Sequence, residues 1–202
     1  MENQYDKIIE TAENLFKQYG IRSVSIDNVC EELRISKKTF YNYFAQKEEL
    51  VDAVLEKTEK EVFNHMRGLL YTNNAIESLI KIIKEMKKAV DCKSEVLYYD
   101  MNKYYGHILK KHEDMRKKEV GNWFAMNLQQ GIKEGYYRDN IDVELISIFH
   151  ALQLTTTFSA MKDVVMNYPK KRILDFYIDL IIHLIANEKG LKYFEEHYNK
   201  ND

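Results

Sequence analysis

One proline, Pro169, and seven glycines are the only strong backbone breakers in 202 residues. A sheet protein of this length reverses direction many times, and each reversal asks for positive φ or a fixed proline φ. So few turn residues predict an all-α chain. With 45% of the residues apolar, the chain can bury a real core, and disorder is not expected. Strand-like alternation is absent over any useful length, and no internal repeat or low-complexity segment occurs.

Helical spacing is clearest at the two ends of the chain. Tyr5, Ile8, Ile9, Ala12, Leu15, Phe16 and Tyr19 recur at steps of three and four, and Gly20 supplies a stop. Ser25 can cap a second, short helix through Leu33, with Ile26, Val29, Cys30 and Leu33 inward. Arg34-Ile35 make a tight connection. Ser36 then caps a third helix, Lys37 to about Phe44. A fourth begins after Ala45-Gln46 and runs from 47 to about 66, with Glu48 and Glu49 at the positive end of its dipole. Beyond a break near Tyr71–Asn74, helical patterns cover about 75–90, 95–110, 113–135, 142–166 and 169–187. In the last, Ile173, Phe176, Tyr177, Leu180, Ile181 and Leu184 keep one stripe. This makes about nine helices.

Several function classes are disfavoured. Cys30 and Cys92 belong to no C-x-x-C pair, which speaks against a disulfide framework or a zinc site and suits a reducing cytosol. The start, Met1 to Lys7, is polar, and no stretch approaches the roughly 18 apolar residues of a membrane helix. A soluble, cytoplasmic protein with no membrane partner is expected. There is no G-x-S-x-G, Gly-rich phosphate loop, H-E-x-x-H or E-x-x-H pattern, so neither an enzyme nor a cofactor is expected. His107 and His112 stand five apart, whereas helical metal ligands prefer three or four, so they read as surface residues and no metal is expected. His150 and His183 read as packing residues, and Cys30 as a small buried filler.

Net charge is −2, which selects no partner, but its distribution does. Between Arg22 and Lys47 stand five basic residues (Arg22, Arg34, Lys37, Lys38, Lys47) against three acidic ones (Asp27, Glu31, Glu32), flanked by acid-rich sequence. Two short helices joined by about three residues, ahead of a longer one, form a helix-turn-helix pattern. Its second helix must be seated rigidly to enter a major groove about 12 Å wide. Val29, Leu33, Ile35 and Phe40 can supply that seat. Lys37, Lys38, Thr39, Tyr41, Asn42 and Tyr43 then remain on or near the outward surface, with donors and hydroxyls suited to phosphates and base edges.

The run I-S-K-K-T-F-Y-N-Y-F-x-x-K-E-E-L resembles the recognition helix and following helix of TetR/AcrR-type regulators, and the match spans roughly Tyr5 to Val54. The resemblance implies phosphate contacts at Thr39 and Tyr41, and a backbone grip by Lys47. It implies sequence reading by Lys37, Lys38, Asn42 and Tyr43, and a phosphate-side cap at Ser25. Lys38 departs from the small residue frequent there, and Gln46 replaces a serine or asparagine cap, at a cost of order 1 kcal/mol. The remainder is similar only in outline, including G-x-x-x-G-Y-x-R-D from Gly131 to Asp139. The resemblance implies a ligand-responsive repressor that binds a pseudo-palindromic double-stranded DNA operator. It implies a helix-turn-helix domain over 1–46 and a ligand-binding and dimerisation domain over 47–202, linked by helix 47–66. A homodimer through helices about 142–166 and 169–187, and a small-molecule effector, complete what it implies.

The aromatic cluster Tyr98, Tyr99, Met101, Tyr104, Tyr105, Trp123, Phe124 and Met126 has two readings. Tyr98, Met101, Tyr105, Trp123 and Met126 can line a pocket for a partly aromatic ligand, with Glu95, Asp100 and Glu119 favouring a cation; equally, the rings pack the core or a dimer. Against the DNA-reading function stands a helical protein-binding module that has lost DNA reading, supported by the acidic flanks of the head.

Overall fold

The computed structural model describes residues 3–70, 74–92, 95–160 and 168–198. Ten helices lie among them: α1 Gln4–Tyr19, α2 Ile26–Leu33, α3 Lys37–Tyr41, α4 Lys47–Leu70, α5 Ala75–Cys92, α6 Glu95–Tyr104, α7 Gly106–Lys133, α8 Val143–Ala160, α9 Lys170–Ile185 and α10 Glu188–Tyr198. The expected all-α class, with short helices at the head, is what the chain adopts. No helix among the described residues is long and apolar enough to cross a membrane.

The boundaries differ from expectation in instructive places. The third helix ends at Tyr41, and Asn42 and Tyr43 lie in a turn. The fourth runs to Leu70. One break falls at Tyr105, so that α7 begins at Gly106 and the pattern at 113–135 continues seven residues further back. Tyr105 itself is buried, so the apolar spacing carries straight across the interruption and conceals it. Pro169 precedes α9 as its N-cap, one position before the first turn.

The chain divides into two compact units, Met1–Phe63 with Lys93–His112 and Asn64–Cys92 with Glu113–Asp202. The first has a core of Ile8, Ile9, Ala12 and Phe16 from α1, Val29 and Cys30 from α2, Phe40 and Phe44, and Leu50, Val51 and Val54 from α4. Met101, Tyr105 and Ile108 close it from α6 and α7. Buried Glu13 is held there by Lys17 and Lys57 at 2.5 and 2.8 Å. Burial alone would raise its carboxyl, but hydrogen bonds from the two lysines outweigh that and hold it below the usual range.

His112 corrects the surface reading. It is fully buried, with Nδ1 2.7 Å from Glu59 Oε2 and Nε2 2.7 Å from Asp52 Oδ1. Asp52 and Glu59 stand seven apart, two turns along one face of α4, so the imidazole bridges them from α7. Periodicity alone had no means of pairing a histidine with carboxylates more than 50 positions away.

The second unit packs Ile76, Leu79, Ile80 and Ile83 of α5 against Phe124 and Leu128 of α7 and Leu174, Ile178, Ile181, Ile182 and Ile185 of α9. The Gly131–Asp139 motif fastens it. Gly135 (φ +72°) turns the chain out of α7. The ring of Tyr137 folds back over Gly131, where a Cβ would lie 2.1 Å from Cδ2. The Tyr137 hydroxyl donates to Asn127 Oδ1 at 3.0 Å, and Asn127 Nδ2 donates to the Ala75 carbonyl at 2.8 Å. Arg138 N–H donates to the Ile185 carbonyl at 2.9 Å, and the Arg138 guanidinium donates to the Leu184 carbonyl. His150 stacks on Phe124 and meets the Tyr177 hydroxyl at 2.6 Å, the packing role expected for it.

Candidate nucleic-acid interface

Each short helix of the head is set by its own caps. Ser25 and Asn28 form a reciprocal capping box: Asn28 N–H donates to Ser25 Oγ (3.1 Å), and Ser25 N–H to Asn28 Oδ1 (2.8 Å). Arg34 ends α2 in the left-handed region (φ 53°, ψ 42°), and Ile35 N–H bonds back to the Cys30 carbonyl at 2.9 Å. Ser36 Oγ accepts from Thr39 N–H at 3.0 Å and starts α3. Where Gln46 offers a weak cap, Glu49 Oε2 accepts from Ala45 N–H at 2.7 Å, so the start of α4 is closed from inside the helix.

The recognition helix stands on Phe40, which is fully buried. Its ring meets those of Phe44 and Tyr41 at 5.7 and 5.6 Å, and Tyr5 stacks on Phe44 at 5.1 Å. With that anchor beneath, Lys37, Lys38, Tyr41, Asn42 and Tyr43 are exposed, and Thr39 is half-buried with its hydroxyl 2.8 Å from Ser36 Oγ. Lys37 pairs with Asp27 at 2.9 Å. Both partners are solvent-exposed, so the pair is weak and leaves Lys37 ready to exchange Asp27 for another acceptor. Ser25 is exposed at the start of α2.

Lys47 is placed differently from the rest. Its Nζ donates to the Ile21 carbonyl at 2.5 Å and lies 6.0 Å from the centre of the Phe16 ring. Burial pushes its ammonium below the usual lysine range, against an opposing pull from Asp100. Lys47 thus ties the α1–α2 turn to the start of α4, with two N–H groups left to offer.

Residues 8–54 match the model of the bacterial regulatory proteins of the tetR family. Over that segment the chain is similar to that family. The protein is a DNA-binding transcriptional regulator. It is similar to the HTH-type transcriptional repressor KstR2 of Mycobacterium tuberculosis, 28% identical over 152 residues that cover 71% of this chain and 74% of that one. It is also similar to the HTH-type transcriptional regulator UidR of Escherichia coli, 21% identical over 162 residues, 78% and 80% of the two chains. Among solved structures, a transcriptional regulator from Cytophaga hutchinsonii superposes with a TM-score of 0.71 over 92% of this chain and 100% of that chain, at 20% identity, a likeness of fold.

The residues of the aromatic cluster belong to both units. Met101 and Tyr105 are buried in the core of the first unit. In the second unit Trp123 is half-buried and Met126 exposed. The side chain of Tyr98 lies outside the described residues. Asp100, considered above for a cationic ligand, instead accepts the Arg22 backbone N–H at 2.9 Å. The hydroxyl of Tyr104 accepts from the Arg22 guanidinium at 2.7 Å. Partners 78 and 82 positions apart leave no mark on local periodicity.

Proposed function

We propose that this regulator is a ligand-responsive repressor that binds a pseudo-palindromic operator as a homodimer. Lys37, Lys38, Asn42 and Tyr43 read base edges, while Ser25, Thr39, Tyr41 and Lys47 hold the phosphate backbone. Residues 1–46 do the reading and residues 47–202 bind effector and partner, with the start of α4 common to both tasks. A symmetric dimer would set two recognition helices in successive major grooves, one helical turn apart.

The observation that carries the reading is a pair of uncovered apolar faces on the two helices expected to dimerise. Leu145, Ile148, Phe149 and Leu152 line one side of α8, and Phe176, Leu180 and Leu184 one side of α9, all exposed. Phe149 is 62% and Phe176 69% exposed, and α9 buries its opposite face in the core. A contiguous patch of large apolar side chains at helical spacing marks an interaction site in a soluble protein. Two helices per protomer are what a four-helix interface requires. Response to an effector rests on the family resemblance rather than on a shared surface, since Met101 and Tyr105 fill the core of the first unit. A ligand favouring the form of the dimer that does not bind DNA would release the operator.

The test is selection of bound duplexes from a random DNA pool at two salt concentrations, with the protein's mass measured by sedimentation in parallel. A dimer that enriches a palindrome and binds it more weakly at high salt is expected. Recovery of no sequence would move the function to a helical module that binds protein.

A further inference from the structure

Beside the helix-turn-helix, the first unit carries a second concentration of cations on a different pair of elements. The α1–α2 turn places Arg22 three residues before the Ser25 cap. Its backbone is fixed by the N–H donated to Asp100 Oδ2, a carboxylate only 5% exposed. Its side chain is exposed yet held: the guanidinium donates to the Tyr104 hydroxyl and lies 5.1 Å from the centre of that ring. Lys103 approaches the same ring at 5.5 Å, donates to the Tyr99 hydroxyl at 2.7 Å, and lies 5.1 Å from the Tyr99 ring. Among the described residues neither Arg22 nor Lys103 has a carboxylate partner for its side chain.

We propose that Arg22, Lys103 and the Tyr104 hydroxyl form an additional phosphate-binding station, by which α6 joins the DNA interface. The inference rests on the DNA-binding reading and adds a contact that the helix-turn-helix pattern does not contain. Three features support it. Location comes first: Ile21, the residue before Arg22, is bonded to Lys47 at 2.5 Å, and Ser25 follows three residues on. Arg22 therefore sits between two positions read as phosphate contacts. The chemistry fits, since a guanidinium fork, an ammonium and phenol hydroxyls are a donor set that phosphate oxygens accept from. Preorganisation is the third feature. A free arginine loses side-chain freedom when immobilised, and stacking on Tyr104 has already removed part of that freedom. Asp100 is the acidic neighbour, but its carboxylate faces the turn's backbone and leaves both side-chain cations outward.

The experiment is a set of binding titrations on the selected operator from low to moderate salt. The wild type is compared with Arg22→Gln, Lys103→Gln, the double variant, Tyr104→Phe, and Lys192→Gln as an equal change of net charge elsewhere. Each lost phosphate contact lowers the slope of log K against log salt by about 0.9. Because the dimer loses one contact from each protomer, we expect a drop of about two units for either single variant and about four for the double, with base preference unchanged. Tyr104→Phe keeps both charges, so it should weaken binding by a few-fold without changing the slope. Lys192→Gln should leave both alone. A double variant with the wild-type slope, on an operator the wild type still binds, overturns the station and leaves DNA reading intact. A slope that falls equally in Lys192→Gln overturns it as well, because net charge rather than contact would explain the result. Wild-type protein that binds no duplex would overturn both readings together.

Discussion

From Ser25 to Glu49 every helix end is closed by a residue three to five positions away: Ser25 by Asn28, Ile35 by Cys30, Ser36 by Thr39, Ala45 by Glu49. In the second unit Asn74, Asp142 and Asn187 cap helix starts in the same local way, but closures from afar are added to them. The Ala75 N–H at the start of α5 donates to Glu134, 59 positions on, and the end of α7 is fastened to Leu184, Ile185 and Asn187. The head is thus assembled from short-range instructions, each worth about 1 kcal/mol. The body adds to such caps its apolar faces and a few long-range clamps. Local instructions give one local answer, which DNA reading needs, because the recognition helix must present its side chains at a fixed angle. Faces, by contrast, can be completed by another molecule.

The sharpest way to break the contrast is to remove the anchor beneath the recognition helix. Phe40→Ala should cost about 3–5 kcal/mol. Loss should be confined to the head: proteolysis should cut between Ser25 and Ala45 while the fluorescence of Trp123, the only tryptophan, keeps its native spectrum. Loss of both together would show that the units do not unfold separately. Next in size, Phe149→Glu with Leu180→Glu places carboxylates on both uncovered faces. Sedimentation should then report a monomer, helicity should stay native, and operator affinity should fall by about 100-fold, as expected when two linked sites become separate ones. A variant that sediments like the wild type would refute the interface.

The smallest effect separates the units by acid. Burial pushes His150 down to about 3, against an unfolded value near 6.5. Between those values the unfolded second unit binds the extra proton. Its stability is therefore full above 6.5 and falls with acid, by at most about 1.4 kcal/mol per pH unit. In the head the signs are the same but the window is lower. Burial raises Asp52, yet hydrogen bonds from Lys111 and His112 outweigh it and hold the carboxyl below its usual range, as the two lysines do for Glu13. Those contributions persist until pH falls below about 4 and vanish through the depressed folded values. Urea titrations followed at Trp123 should weaken between pH 6.5 and 4.5. Amide exchange in α1 and α2 should hold steady over that range. A flat Trp123 response would remove His150 from the account.

The same contrast explains what could be read in the residue order. The helix-turn-helix, its caps and its outward donors were legible because their causes lie within a few residues. The stripe over 169–187 was legible as a helix but not as two faces: Ile181 points inward with Ile178, while Phe176 and Leu180 point outward. Met101 and Tyr105 were ambiguous as sequence, since a ring that lines a cavity and a ring that fills a core share the same spacing. The break at Tyr105–Gly106, the burial of His112 and the seating of Arg22 on Asp100 all depend on partners far along the chain. No local pattern encodes them.

The contact between Gly131 and Tyr137 also limits how the protein can vary. The phenol ring occupies the volume that any side chain at position 131 would need. A ring cannot yield there without breaking its bond to Asn127, which in turn holds the Ala75 carbonyl. Substitution at 131 is therefore closed until 137 has already lost its ring, and a smaller residue at 137 leaves a void that then favours a larger one at 131. Among descendants of this sequence the two positions should change as a pair and in that order, so the history of one can be inferred from the identity of the other.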